Sequence, residues 1–423
     1  MTFSRREFMK WISATASVAA AGGCATTADG SAGRVVVIGA GYGGATAAKY
    51  VRMWAPDIAV TVVERGSEFV SCPISNLVLG GSAQLKDVTV GYDGLKKRGI
   101  TLMRDEAVAI DAVKREVRLA GGTTIGYDRL IVSPGIDFMY NTIPGLNNAD
   151  AQGRVLHAWK AGPQTVALRR QLEAMRDGGV YALHIPMAPY RCPPGPYERV
   201  CQVAHFLKTA KPKSKILVLD SNPDITSKAG LFRAAWNGLY KGMIDYRPNS
   251  ELVDVDVKTM TARLQFDNIR ADVLNVVPPQ KAGTIAEQAG LITANNRWCG
   301  IDWTTYESTA VKGVHVLGDA LLAAPLMPKS ASMANQHAKA CAAAVISLIK
   351  SQPVNPQPML MNTCYSFVDD KNVVHVASVH QYSATDKTMV VVKGAGGLSD
   401  KASELEGVYA WGWARNIWAD TLT

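Results

Sequence analysis

The 423-residue sequence predicts an α/β protein with two parallel-sheet, nucleotide-binding-type domains, the first split by the second, and a C-terminal α+β unit. Three observations carry this. A β-branched run at 34–38 enters a glycine-rich turn and a helical pattern. A strand and turn at 311–320 return to the same kind of domain. A second strand–helix–strand series lies between them. The length suffices for two or three packed domains. Hydrophobic residues make up 48%, with 37 Gly and 20 Pro, as in a globular chain and unlike a disordered one.

The net charge is +9, of which the first 33 residues (Arg5, Arg6 and Lys10 against Glu7 and Asp29) supply only +1. A mildly basic body favours small anions or an acidic partner. No long Lys/Arg run or basic helix occurs, so nucleic acid is not expected. Arg5–Arg6, Phe8 and Lys10, then an Ala-rich apolar run and small residues, predict a twin-arginine export signal over 1–30 and a periplasmic protein. The run is too short for a permanent span, and no later stretch reaches the roughly 18 apolar residues that would suggest an integral membrane protein. Cys24 is a weak candidate for lipidation because Ala21 stands three residues before it, so simple cleavage is expected.

The elements follow in order. "RVVVIGAGYGGATAAKY" gives a buried strand, then G-x-G-x-x-G at Gly39, Gly41 and Gly44, then a helix to about Trp54. Gly39 permits the tight turn, Gly41 lets backbone approach a pyrophosphate, and Gly44 lets helix pack on strand. The helix N-terminus then faces the phosphates. A second strand ends at Glu64, placed to accept a ribose hydroxyl, with Arg65 next on the same cofactor side. "YDRLIVSPG" at 127–135 and "VKGVHVLGDA" at 311–320 close this domain. Gly318–Asp319 at a strand end is the pattern by which two-domain flavoproteins hold a ribityl chain, so the dinucleotide is FAD. The layout resembles the glutathione-reductase-like flavoprotein superfamily. The expected divisions are 34–160 and 284–354 for the FAD domain, 161–283 for an NAD-like domain and 355–423 for a C-terminal interface or active-site domain.

The insertion opens with a strand at 178–186, but "MAPYRCPPGPYERVCQVAHFL" follows where a glycine fingerprint would bind NAD. Pro189, Pro193, Pro194 and Pro196 fix the backbone and remove amide donors. The strand "SKILVLDSNP", ending at Asp220, shows that the fold persists while the NAD site is lost. The tail reads as strands and a Trp-rich segment in which Trp411, Arg415 and Trp418 fall on one helical face.

Seven cysteines occur, with no C-x-x-C and no C-x-x-C-H, so the chain carries no zinc-ribbon signal and no c-type haem of its own. Cys201, Cys299 and Cys341 read as structural. Cys192 stands at a strand-to-helix turn, where a helix N-terminus lowers a thiol's pKa and exposes it, but taken alone it and Cys364, in the tail, read as buried and inert rather than functional. Cys72, in "SEFVSCPISN" just past Glu64, is structural, catalytic or a covalent anchor on its residues alone.

The motifs "SCPISN", "APYRCPPGPYER", "LVLDSNPDITSKAGLFRAAW", "VLGDA…MPKSASMANQHAKA" and "NTCYS", with the glycine turn, resemble the flavoprotein subunit of flavocytochrome c sulfide dehydrogenase over nearly the whole chain after the leader. The proline–cysteine motif is the most specific; "SCPISN" is not a complete motif. The resemblance implies FAD joined through its 8α-methyl to Cys72 and a redox-active disulfide between Cys192 and Cys364. It also implies a c-type cytochrome partner in a heterodimer, which holds the haem. Hydrosulfide would open the disulfide, giving a persulfide and a thiolate that delivers two electrons to the flavin. Glu198 matches an acidic residue near that site and is either a proton relay or an exposed ion pair. Lys329 either holds negative charge near the reduced flavin or is a solvated surface lysine. One rival is sulfide:quinone oxidoreductase, which needs a membrane surface and typically two apolar C-terminal helices. The other is a non-catalytic flavoprotein accessory to thiosulfate oxidation, against which intact Cys192 and Cys364 argue.

Overall fold

A computed structural model describes residues 31–423; the expected export signal and Cys24 lie outside the described residues. The first domain is a parallel sheet built on β1 (Gly33–Ile38), followed by α1 (Tyr42–Trp54), β2 (Ile58–Val63), β3 (Thr101–Met103) and β4 (Arg129–Val132). β1 reads "GRVVVI" because it is covered on both faces: Val35, Val36 and Val37 are all buried. An antiparallel meander over 107–126 covers one end. The chain leaves this domain through the strand Ile136–Phe138, which pairs with the returning strand Gln280–Ala282.

The second domain contains α2 (Pro163–Ala174), β5 (Val180–Ile185), α3 (Gly195–Ala210), β6 (Lys215–Asp220), α4 (Ala229–Gly238), β7 (Ile244–Arg247) and β8 (Val273–Val276). Its strand order is β7-β6-β5-β8, all parallel, with its own meander over 252–270. A helix, α2, precedes the strand with which the insertion was expected to open. α3 starts inside the proline run, and Pro196 is tolerated in its first turn because those amides have no intrahelical partner.

The chain re-enters the first domain at β9 (Val314–Val316), giving the sheet order β9-β4-β1-β2-β3. The expected strand into Gly318–Asp319 stops at Val316, and 318–320 is a single 3-10 turn in which Gly318 takes φ +77. α5 (Ala331–Ile349) packs on α1, its first turn capped by Ser330, whose hydroxyl accepts from the Met333 amide. The C-terminal unit is an antiparallel sheet of β10 (Met359–Phe367), β11 (Val373–Ser383) and β12 (Thr388–Val391), backed by α6 (Glu404–Leu422). Among the described residues no helix is long and apolar enough to cross a membrane.

Candidate active site

One cavity of about 580 Å³ runs from the glycine turn to the cysteines. At its first end Gly39 takes φ +90, and a Cβ there would lie 2.4 Å from the Ser133 carbonyl. A Cβ on Gly44 would lie 1.8 Å from the Gly39 carbonyl, whereas one on Gly41 would meet nothing within 4 Å. Gly39 and Gly44 are therefore set by protein packing. Gly41 is not, and its open space belongs to whatever fills the cavity. Glu64 lines the same end, its carboxylate accepting from the Ala40 amide at 2.8 Å and the Gly66 amide at 2.7 Å. Arg65 also lines it, but its side chain turns to solvent and pairs with Glu106 at 3.4 Å.

The Cys72 loop borders the middle. Ser71 bonds the Tyr42 hydroxyl at 2.6 Å, and Trp418 donates to that hydroxyl at 3.0 Å, so α1 and α6 both hold the loop. Ile74 is forced to φ +73, a costly conformation for a β-branched residue. The Cys72 sulfur faces the cavity, 3.8 Å from the Trp159 carbonyl. Arg191, beside it, donates to that same carbonyl. Asp319 also lines the cavity, and its Oδ1 has no protein partner although buried, while burial pushes its carboxyl up. A buried acceptor without a donor is rare and costly. Open space above Gly41, acidic Glu64 and the orphaned Asp319 oxygen together fit a dinucleotide laid from phosphate to ribityl chain.

Cys192 and Cys364 line the far end. Cys192 is held at φ +59, its amide donating to the Lys329 carbonyl at 2.7 Å and its carbonyl accepting from Gly195. Cys364 arrives from β10 in another domain. The two are separate thiols here, both open to the cavity and near enough to influence each other's charge. The expectation that a helix N-terminus lowers the Cys192 thiol fails. Burial pushes that thiol well up, and Cys364 and Glu198 push it further, against Arg191. Burial also raises Cys364, opposed first by Lys228.

Glu198 is not an exposed ion pair. It is buried on the cavity wall, its Oε1 accepting from the Phe367 amide at 2.9 Å and its Oε2 from Asn76 at 2.8 Å. Burial pushes its carboxyl up despite these bonds. Lys329 also departs from both expectations. It is buried, and its ammonium turns away from the cavity to donate to the Asp319 and Leu321 carbonyls, over the Trp298 ring at 3.7 Å. Its ammonium is already fully engaged, so what it brings the cavity is a fixed Asp319 turn and, through its own carbonyl, a fixed Cys192. Burial lowers it to about 7.

Asn76, Arg191, Arg199 and Lys228 were not legible as site residues. Arg199 is buried, donating to His157 and Asn275 and stacking on Trp159 at 4.8 Å. Each lies inside a motif that sequence reasoning marked, but only tertiary contact separates these polar residues from solvated neighbours. On α6, Trp418 is buried and Trp411 meets Phe367 edge-on, while Arg415 is exposed, so the three do not share one environment. The α6 tryptophan that lines the cavity is Trp413. In the second domain Asp220 is buried and saturated by Tyr197, Tyr246 and Asn222. It has no lone pair left for a second nucleotide's ribose.

Two nucleotide-type domains, one cofactor cavity and cysteines at its end define a flavoprotein of the pyridine nucleotide-disulfide oxidoreductase type. The family described as pyridine nucleotide-disulphide oxidoreductase matches residues 33–168. Residues 165–278 match the central region of the sulfide dehydrogenase (flavocytochrome c) flavoprotein chain, and 356–422 the flavocytochrome c sulphide dehydrogenase flavin-binding region. The flavoprotein chain of that enzyme from Chlorobaculum thiosulfatiphilum is 58% identical over 45 residues, which are 94% of that sequence and 11% of this chain. The chain therefore belongs to the flavocytochrome c sulfide dehydrogenase flavoprotein family, and FAD is its cofactor. A probable ferredoxin reductase from Castellaniella defragrans is 32% identical over 120 residues, 27% of this chain and only 29% of that protein's length. The sulfide:quinone oxidoreductase structure from Aquifex aeolicus superposes with a TM-score of 0.75 at 17% identity, over 92% of this chain and 91% of that one. That likeness is one of fold.

Proposed function

We propose that the protein oxidises hydrosulfide at a redox-active Cys192–Cys364 pair and delivers the electrons through FAD, bound covalently to Cys72, to a c-type cytochrome partner. The observation that carries this is the meeting of Cys192 and Cys364, from different domains, on the cavity that also holds the glycine turn, Cys72 and Asp319. Hydrosulfide attacks one sulfur of the closed pair; an S–S bond forms to it as the S–S bond between the cysteines breaks, and the charge passes to the released sulfur. The Lys329 carbonyl fixes Cys192, and β10 fixes Cys364. Glu198, raised by burial and adjoining both cysteines, is suited to hold and return the proton of the incoming sulfur. The flavin, when bound, supplies a two-electron acceptor that can release electrons singly. Export by the twin-arginine route to the periplasm fits a covalently held cofactor, which cannot be lost where no pool replaces it.

The test is anaerobic sulfide titration followed by flavin absorbance. Cys192→Ser and Cys364→Ser each abolish bleaching; unchanged bleaching in either sinks the pair mechanism. With cytochrome c and a soluble quinone supplied in turn, reoxidation by cytochrome supports the acceptor named here. Reoxidation by quinone alone moves the protein to the quinone-linked reaction.

A further inference from the structure

The second domain inserts one lysine into the C-terminal unit. Lys228 precedes α4 in the left-handed region, at φ +57, and is buried. Its ammonium crosses to β10 and β11, donating to the Cys364 carbonyl at 2.9 Å, the Ser366 hydroxyl at 2.7 Å and the Val374 carbonyl at 3.3 Å. All three acceptors are neutral. Lys228 forms no carboxylate ion pair among the described residues, although ion pairs are common elsewhere on the chain. A buried cation without a counter-ion is expensive. A buried charge of this kind on a cleft marks a candidate functional group. The groups whose charge it faces are Cys364, Glu198, Cys192 and Glu406. Glu406 already accepts from the Ser399 hydroxyl at 2.6 Å, and Glu198 already accepts from Phe367 and Asn76. That leaves the cysteines, of which Cys364 has its own carbonyl bound to Lys228.

We propose that Lys228 is the positioning and counter-charge residue for an anionic sulfur carried on Cys364 while the cysteine pair is open. This rests on the pair mechanism above. Two sources give that anion. If hydrosulfide attacks Cys192, Cys364 leaves as thiolate. If it attacks Cys364, the new terminal sulfur there is a persulfide that sheds its proton to solvent or Glu198. In both, one S–S bond forms as one breaks, and the charge brought by hydrosulfide ends on a sulfur; no other reagent is needed. Lys228 lowers the Cys364 thiol, against burial, in keeping with this role.

The experiment treats the anaerobic FAD-loaded protein with sulfide, traps with iodoacetamide across pH 6–10, and maps the peptides by mass. In the native protein Cys364 is labelled. Its mass without or with one extra sulfur identifies the thiolate or the persulfide source, and either supports the proposal. In Lys228→Met, Cys364 labelling at pH 7.5 falls at least tenfold and recovers near pH 10, while Cys192 labelling shifts less. Lys228→Arg retains near-native labelling. Lys228→Gln, which keeps a donor without the charge, replaces the Met variant if that does not fold. A Cys364 pH profile unmoved in both neutral variants overturns the assignment to Lys228. Absence of sulfide-dependent labelling at either cysteine in the native protein overturns instead the pair mechanism on which it rests.

Discussion

Gly41 and Gly44 stand three residues apart in one motif, and the structure gives them different jobs that a pair of alanine variants separates. In Gly44→Ala the new Cβ falls 1.8 Å from the Gly39 carbonyl, where ordinary contact begins at 3.4 Å. α1 must therefore move off β1 by about 1.6 Å, or Gly39 must abandon its turn. Overpacking of that kind costs about 3 kcal/mol or more in a close-packed interior. Gly41→Ala meets nothing within 4 Å, and the Gly41 backbone, at φ −74 and ψ −167, suits any residue. The fold should accept it, but the methyl occupies the approach to the phosphates. Both variants should therefore lose bound flavin, to below about a tenth of the native flavin-to-protein ratio. They should differ in thermal midpoint when compared flavin-depleted. At about 1 °C per kcal/mol for a chain of 423 residues, Gly44→Ala should melt about 3 °C or more below Gly41→Ala. Absorbance of the purified proteins gives the first quantity and scanning calorimetry the second. Full flavin loading in Gly41→Ala would refute the reading of that residue as an approach to the cofactor. Equal midpoints would refute the packing role of Gly44.

Other expectations concern charge and cofactor. Denaturation in acid, then digestion, should leave flavin on a Cys72 peptide; flavin released free removes the covalent linkage. Burial lowers Lys228 to about 8 from 10.5. The unfolded chain therefore binds the proton more tightly between those values, and stability contributed by Lys228 rises with pH across that window. The native-minus-Lys228→Met stability difference should grow by about 3 kcal/mol between pH 7.5 and 10.5, since each pK unit is worth about 1.4 kcal/mol; a flat difference in urea midpoints contradicts this. Glu198→Gln must turn an amide donor toward either the Phe367 amide or Asn76, at a cost of about 1–3 kcal/mol. The thermal midpoint should fall, and an unchanged one would mean that the carboxylate is not held as described. With Asp220 saturated, NADH should leave the flavin oxidised on a timescale in which sulfide bleaches it. Rapid bleaching by NADH would restore a second nucleotide site.

The sequence by itself determined the fold class, the glycine turn with Glu64, the split return at Gly318–Asp319 and the loss of the second fingerprint. Each of these is written in local order: a strand's apolar run, a glycine where backbone must turn or approach, a proline where an amide is missing. Family likeness, spread over nearly the whole chain after the leader, added which cysteines to watch. Sequence left undecided, or misjudged, what depends on burial. Glu198 looked equally suited to solvent and site, Lys329 was left between the flavin and solvent and is in neither place, and the helix N-terminus at Cys192 does not lower a thiol that burial raises. Lys228 and Asn76 lie inside marked motifs that do not single them out, because their partners, Cys364 and Glu198, lie on β10 and α3. Local pattern fixes which backbone a segment adopts. Whether a charge is desolvated, and which group shares its space, is decided only when distant segments pack together, since both are properties of the surroundings rather than of the residue.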